Sequence, residues 1–147
     1  MSTQQQTQDL VANASISINA PVRRVWNALT DPKRIKMYMF GTRVITDWKK
    51  GSPILWHGEW QGKSSQDRGK ILDIEKGKLL KFSHYSPLSG RIDVPENYHI
   101  ITIELTDEGD QTTVSLTQTN SPDEKARKHS EENWILILQS LKSLLEV

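Results

Sequence analysis

Tryptophan is the most unusual component of this chain, and two of its five copies fall in one short stretch, "WHGEW". Trp56 and Trp60 are an even number of residues apart, so in a strand they share a face, while His57 and Glu59 share the other. Turned inward, the two indoles would line an apolar cavity and offer N–H donors to the polar end of a ligand. The competing reading is that they pack a core or cover a sheet edge. Trp26 and Trp134 recur at helical spacing among aliphatic residues, which favours core packing for both.

The histidines are scattered. His57, His84, His99 and His129 show neither H-x-x-x-H nor H-E-x-x-H spacing. His84 is in phase with Leu80 and Phe82, and His99 with Ile101 and Ile103, so each is expected on an apolar sheet face near a strand end. Two histidines on neighbouring strands have the means to build a metal site or an acid/base pair. A hydrogen-bonded or rim-exposed histidine is the simpler alternative, and His129 reads as a solvent-facing helix residue. Gln118 and Asn120 continue the face of Val114 and Leu116 and, with Tyr38, Tyr85 or Tyr98, would form a polar rim at a cavity mouth. Ordinary strand-end hydrogen bonding is the alternative for each.

Several chemistries lack their residues. There is no cysteine, which removes disulfides, zinc–thiolate sites and a cysteine nucleophile. No "GxSxG" elbow and no "GxxxxGK" loop occurs. Asp73 and Glu75 share a strand face that reads as solvated. No metal, no cofactor and no catalytic residue is therefore expected.

The elements that position these residues follow from periodicity. "LVANASISINA" alternates as a half-buried strand, and "PVRRVWNALT" and "TDPKRIKMYMF" read as two short helices, the second capped by Asp31 or Thr30. From Thr42 to Asn120 six strands are expected, broken at "KKGS", "QGKSSQD", "KGK", "PLSGRIDVPE" and "TDEGDQ". Such short connections favour antiparallel neighbours. The end of the chain, "NWILILQSLKSLLEV", places Trp134, Ile137, Leu138, Leu141, Leu144 and Leu145 on one helical face, which Ile135, Leu136 and Val147 widen. Ser121 in "SPDE" is the expected N-cap, with Pro122 at the first helical position. The antiparallel sheet has one face to bury, and this helix is the large apolar element left to cover it. The fold class is α+β.

Composition is consistent with a single domain of 147 residues, with 19 basic against 18 acidic side chains and no long basic run, so no nucleic-acid partner is expected. No segment has the length and apolarity of a membrane span, and the polar start lacks a signal-peptide core, so a cytoplasmic protein without stable membrane association is expected.

"ISINAPVRRVWNALTDPKRIKMYMFG" resembles the opening of the START-like (SRPBCC) superfamily, in the branch related to the activator of the ninety-kilodalton heat-shock chaperone's ATPase. Ala20, Pro21, Val25, Trp26, Ala28, Leu29, Thr30, Asp31 and Pro32 carry the likeness. Gly69, Ile74 and Leu80 in "RGKILDIEKGKLLKFSH" match a family hairpin, and Trp134, Leu138, Leu141 and Lys142 match the closing helix. Asn133 stands where that branch often has glycine, the glycine-rich loop of the plant-allergen branch is missing, and the separate N-terminal domain of the eukaryotic activators is not among these residues. The resemblance implies a helix-grip: a curved antiparallel sheet around the C-terminal helix, with a cavity between them. It implies a flexible segment over residues 1–10 and one START-like domain over 11–147.

Three functions compete on this basis. The first is binding of a hydrophobic or amphipathic small molecule, lipid-like or aromatic, with Trp56, Trp60, Tyr98, His99, Asn120 and Trp134 as candidate ligand-binding residues. The second is a co-chaperone-like role, activating a heat-shock chaperone ATPase. The third is a cavity enzyme of the aromatase/cyclase type, for which no acid/base constellation speaks.

Overall fold

The computed structural model describes residues 10–60 and 62–146, the side chain of Trp60 excepted. The chain forms β1 (Ala12–Ile18), α1 (Val22–Thr30), α2 (Pro32–Tyr38), β2 (Arg43–Ile45), β3 (Pro53–Trp60), β4 (Lys63–Glu75), β5 (Leu79–His84), β6 (His99–Asp107), β7 (Thr112–Gln118) and α3 (Glu124–Leu145). The seven strands make one sheet in the order β1-β7-β6-β5-β4-β3-β2, each neighbouring pair antiparallel. The sheet curves around α3, and the architecture is the α+β helix-grip. Among the described residues no helix is long and apolar enough to cross a membrane.

Alternation sets the inward face. In β7 the buried positions are Thr112, Val114, Leu116 and Gln118, and Ile101, Ile103 and Leu105 do the same in β6. Two departures from regular pairing occur in β4. The register with β5 shifts between Ile71 and Asp73, so Ile71 and Ile74 both reach the core side, and a bulge of this kind bends its strand. At Gly69 a Cβ would collide with the Ser83 carbonyl, so only glycine lets β4 lie this close to β5.

Two local expectations change, and one open choice is settled. The "QGKSSQD" segment is not a loop: Gly62, at φ 80°, makes a tight turn, and Ser64 to Asp67 pair with Glu59 to Trp56 in β3. Their polarity hid a strand whose backbone bonds do not depend on side-chain hydropathy. The helix cap is Asp123, whose carboxylate accepts from the Ala126 N–H at 2.8 Å. Asn120, at φ 65°, turns the chain so that Ser121 is buried and donates its N–H to the Leu10 carbonyl, and α3 starts with Glu124. A carboxylate also suits the positive end of the helix dipole. At the second helix the open choice resolves to Asp31, which accepts from the Lys33 N–H.

On α3, Ile137, Leu138, Leu141 and Leu145 are buried, with Trp134 and Leu144 packed beside them. Ile135 and Leu136 do not widen this face. They are 42% and 56% exposed, because a turn of about 100° per residue carries them round to the solvent side. Val147 lies outside the described residues. Leu138→Ala should cost about 2–5 kcal/mol in denaturant unfolding, the range for a buried leucine. Leu136→Ala should stay within about 0.5 kcal/mol of the parent. Equal effects at the two positions would refute this helix orientation.

Candidate functional site

Between α3 and the sheet lies a cavity of about 160 Å³. Ile54 and Trp56 of β3, Leu80 and Phe82 of β5, Ile101 and Ile103 of β6 and Leu116 of β7 form its sheet wall. Trp134, Ile137, Leu138 and Leu141 form its helix wall, and Ile35, Tyr38, Met39, Val44 and Trp48 close one end. The volume matches an apolar cavity of about 150 Å³ that accepts a benzene molecule. At about 24 cal/mol per Å³, leaving such a space unfilled costs on the order of 4 kcal/mol, a sizeable fraction of a typical folding free energy.

The ionisable groups in the wall are Tyr38, Asp67 and His84. Tyr38 is buried, and burial alone pushes its phenol pKa far up, so it stays a neutral O–H. Asp67 on β4 meets His84 on β5, with Nε2 to Oδ2 at 2.8 Å. The Trp56 ring stands edge-on to the imidazole at 5.1 Å and tilts against Phe82 at 5.2 Å. On the other side His99 stacks on His84, with centroids 6.2 Å apart. The His99 Nδ1 lies 2.9 Å from the Thr119 carbonyl, so that nitrogen carries a hydrogen. Burial chiefly holds the His99 pKa below its ordinary value; the Thr119 bond opposes this, and the charges of His84 and Arg91 add to the lowering.

The sequence candidates land unevenly. Trp56 and Trp134 line the cavity. The Trp134 Nε1–H is already spent, donating to Gln118 Oε1 at 2.7 Å, while Gln118 Nε2 donates to Ser130 Oγ. His99 adjoins the cavity through His84. Tyr98 stacks on Tyr85 at 5.4 Å, its hydroxyl donates to Asp93, and it is not part of the cavity wall. Asn120 is likewise off the wall, its Nδ2 donating to the carbonyls of Glu96 and Tyr98. The Trp60 side chain lies outside the described residues. Asp67 and Trp48 went unremarked in the sequence. Asp67 was concealed by the loop reading of its segment, yet its even spacing from Ile71 was the signal that puts both on one face.

Residues 19–146 match the family described as Activator of Hsp90 ATPase homolog 1-like protein. The solution structure of ChR145 from Cytophaga hutchinsonii is similar, with 51% identity, 92% of this chain and 93% of that chain covered, and a TM-score of 0.81. The solution structure of the Aha1 dimer from Colwellia psychrerythraea shares the fold at 23% identity, covering 93% of this chain and 96% of that one with a TM-score of 0.73. CalU16 from Micromonospora echinospora shares it at 24% identity, covering 90% and 73% with a TM-score of 0.69. No curated protein matches the chain.

The depressed His99 pKa gives stability a pH dependence. The folded state disfavours the charged ring, so the His99 contribution is fully present above the ordinary value of 6.5 and is lost as pH falls through the lower folded-state value. Unfolding measured on both sides of that window should show a smaller loss on acidification for His99→Gln than for the parent protein. Identical pH profiles would refute the half-buried, neutral assignment.

Proposed function

The chain belongs to the Activator of Hsp90 ATPase homolog 1-like family, and from that premise we propose that it is a small-molecule binding protein whose ligand lies between sheet and helix. The observation that carries this reading is the apolar cavity, with Trp56, Phe82 and Trp134 among its walls. Close packing leaves few voids of this size in a protein interior, so the space is best explained by an occupant. A compact apolar or aromatic molecule fits it, bound by residues 11–147 acting as one domain, without metal or cofactor.

Toluene is the simplest probe. It should bind saturably at one site, perturb tryptophan fluorescence and raise the unfolding temperature. Val44 is buried and lines the cavity, so Val44→Phe puts a ring into the same space. That variant should weaken toluene binding at least about tenfold, and its stability should escape the ~1–3 kcal/mol loss usual when a well-packed core is overfilled. No saturable uptake of toluene by the folded protein would refute the reading.

A heat-shock chaperone as partner is the second reading. It is supported by the family description and by an exposed apolar group at the end of α2 and on the edge strand β2: Met37, Phe40 and Ile45 are all more than 60% exposed. Phe40 also holds a left-handed φ of 56°, an unfavourable conformation for an exposed aromatic residue. On this reading the protein stimulates a chaperone ATPase, and Met37→Ser with Phe40→Ser abolishes the stimulation while unfolding is unchanged. An ATPase rate that the parent protein does not alter would refute it.

A further inference from the structure

Charge is spread unevenly along the chain. Residues 32–57 hold six basic side chains and one acidic one, while the whole chain carries a formal net charge of +1, so the remainder is net negative. The fold gathers three of those cations around an open groove of about 450 Å³ between α2 and the outer face of the sheet. Lys33 and Lys36, neighbours on one helical face, form one bank. On the other, Arg43 of β2, His57 of β3 and Gln66 of β4 are successive cross-strand partners and make a polar row. Beside it Ile45 and Leu55 are paired as an apolar row. No carboxylate lines the groove. Among the described residues the ion pairs form elsewhere, at Arg68, His84, Arg127 and Lys142, so Lys33, Lys36 and Arg43 stand exposed without an ion-pair partner.

Like charges at the spacing of Lys33 and Lys36 repel, and an anionic occupant relieves that repulsion. The occupant must also bring apolar side chains to Ile45 and Leu55. A concave groove receives side chains, whereas a flat lipid surface meets projecting ones. No Trp, Tyr or Phe lines the groove, so bases have no platform to stack on. A peptide that alternates acidic and apolar residues matches both rows at once. We propose that the groove between α2 and β2 docks an acidic segment of a protein partner, in which apolar residues alternate with Asp or Glu. The lysines and Arg43 take its carboxylates, Ile45 and Leu55 take its apolar side chains, and His57 and Gln66 serve its backbone amides. This inference rests on the partner reading of the preceding subsection, in which Met37 and Phe40 are exposed at the same end of the fold, and adds the chemistry of what the partner presents.

The probe is a blocked, fluorescein-labelled peptide of alternating Glu and Leu, titrated with the full chain by fluorescence anisotropy. It should bind saturably, and peptides alternating Glu with Ser or Lys with Leu should bind at least about tenfold more weakly. Added salt should weaken the Glu–Leu peptide, since exposed charges are screened. Lys36→Glu combined with Arg43→Glu should weaken that peptide at least about tenfold and strengthen binding of the Lys–Leu peptide. Ile45→Ser should narrow the advantage over the Glu–Ser peptide. Lys125→Glu combined with Lys128→Glu makes the same charge change on exposed positions of α3 and should leave binding as in the parent protein. All five side chains are exposed, so unfolding should be unchanged. If the groove double variant does not fold, Lys33→Glu replaces it with the same expected direction. Equal binding of the Glu–Leu and Glu–Ser peptides overturns the inference, and so does an equal loss in the α3 variant. Tighter binding to phosphatidylserine vesicles or to a single-stranded oligothymidylate, lost in the groove variant, overturns it in favour of a membrane or a nucleic acid. Self-association lost in the groove variant overturns it in favour of a second copy of this chain. A chaperone ATPase stimulated by a protein that does not bind the peptide overturns this inference alone. Peptide binding without stimulation overturns the chaperone reading alone.

Discussion

A straight helix cannot fill a trough whose walls bend away from it. The structure depends on the packing of α3 against the concave sheet face, through Ile137, Leu138, Leu141 and Leu145, each almost fully buried. At about 1.5–3 kcal/mol per fully buried aliphatic side chain, this seam is among the larger favourable contributions in the fold. It also fixes where contact must fail. The helix touches the sheet along a line, β4 bends at its bulge, and the space left between them is the cavity. The same geometry that holds the fold together opens the site.

The polar groups of the site are held by the sheet rather than by loops. Gly69 allows β4 and β5 to approach, the register sets Trp56 beside Asp67, and the imidazole of His84 lies between a carboxylate and the ring of His99. A site built on strands keeps its geometry without a ligand. The loop before β6 has its own fastening, with Tyr85 donating to the Arg91 carbonyl, Tyr98 to Asp93, and Asn120 reaching back to Glu96 and Tyr98. Those bonds account for Tyr98 and Asn120, two polar residues expected at the cavity, Asn120 through its strand phase with Val114 and Leu116.

Where side-chain pattern and backbone bonding agree, the fold was legible in the sequence. β7 alternates without a break, and the last helix carries an apolar stripe, so element order and the helix-grip followed from periodicity and resemblance. Legibility failed where backbone bonds form without an apolar signal. Ser64 to Asp67 are polar, and a tight turn at Gly62 is all that separates them from β3. The cap moved from Ser121 to Asp123 because Asn120 adopts a left-handed conformation whose cause, carbonyls across the loop, is remote in sequence. For the site, Trp56 and Trp134 were visible by phase, and His84 and His99 as an in-phase pair. The partnership of Asp67 with His84 was not, since it joins strands across 17 positions.

The central claim is that the gap between helix and sheet is a defined apolar chamber open to a small guest. Methyl-labelled protein under xenon pressure tests it most directly, because xenon is apolar, makes no hydrogen bonds and enters cavities of this size. The account requires saturable shifts confined to methyl groups facing the chamber, such as those of Ile101, Ile103, Leu116 and Leu138, with Leu136 unmoved. Weak, linear shifts spread over the whole methyl spectrum would contradict it.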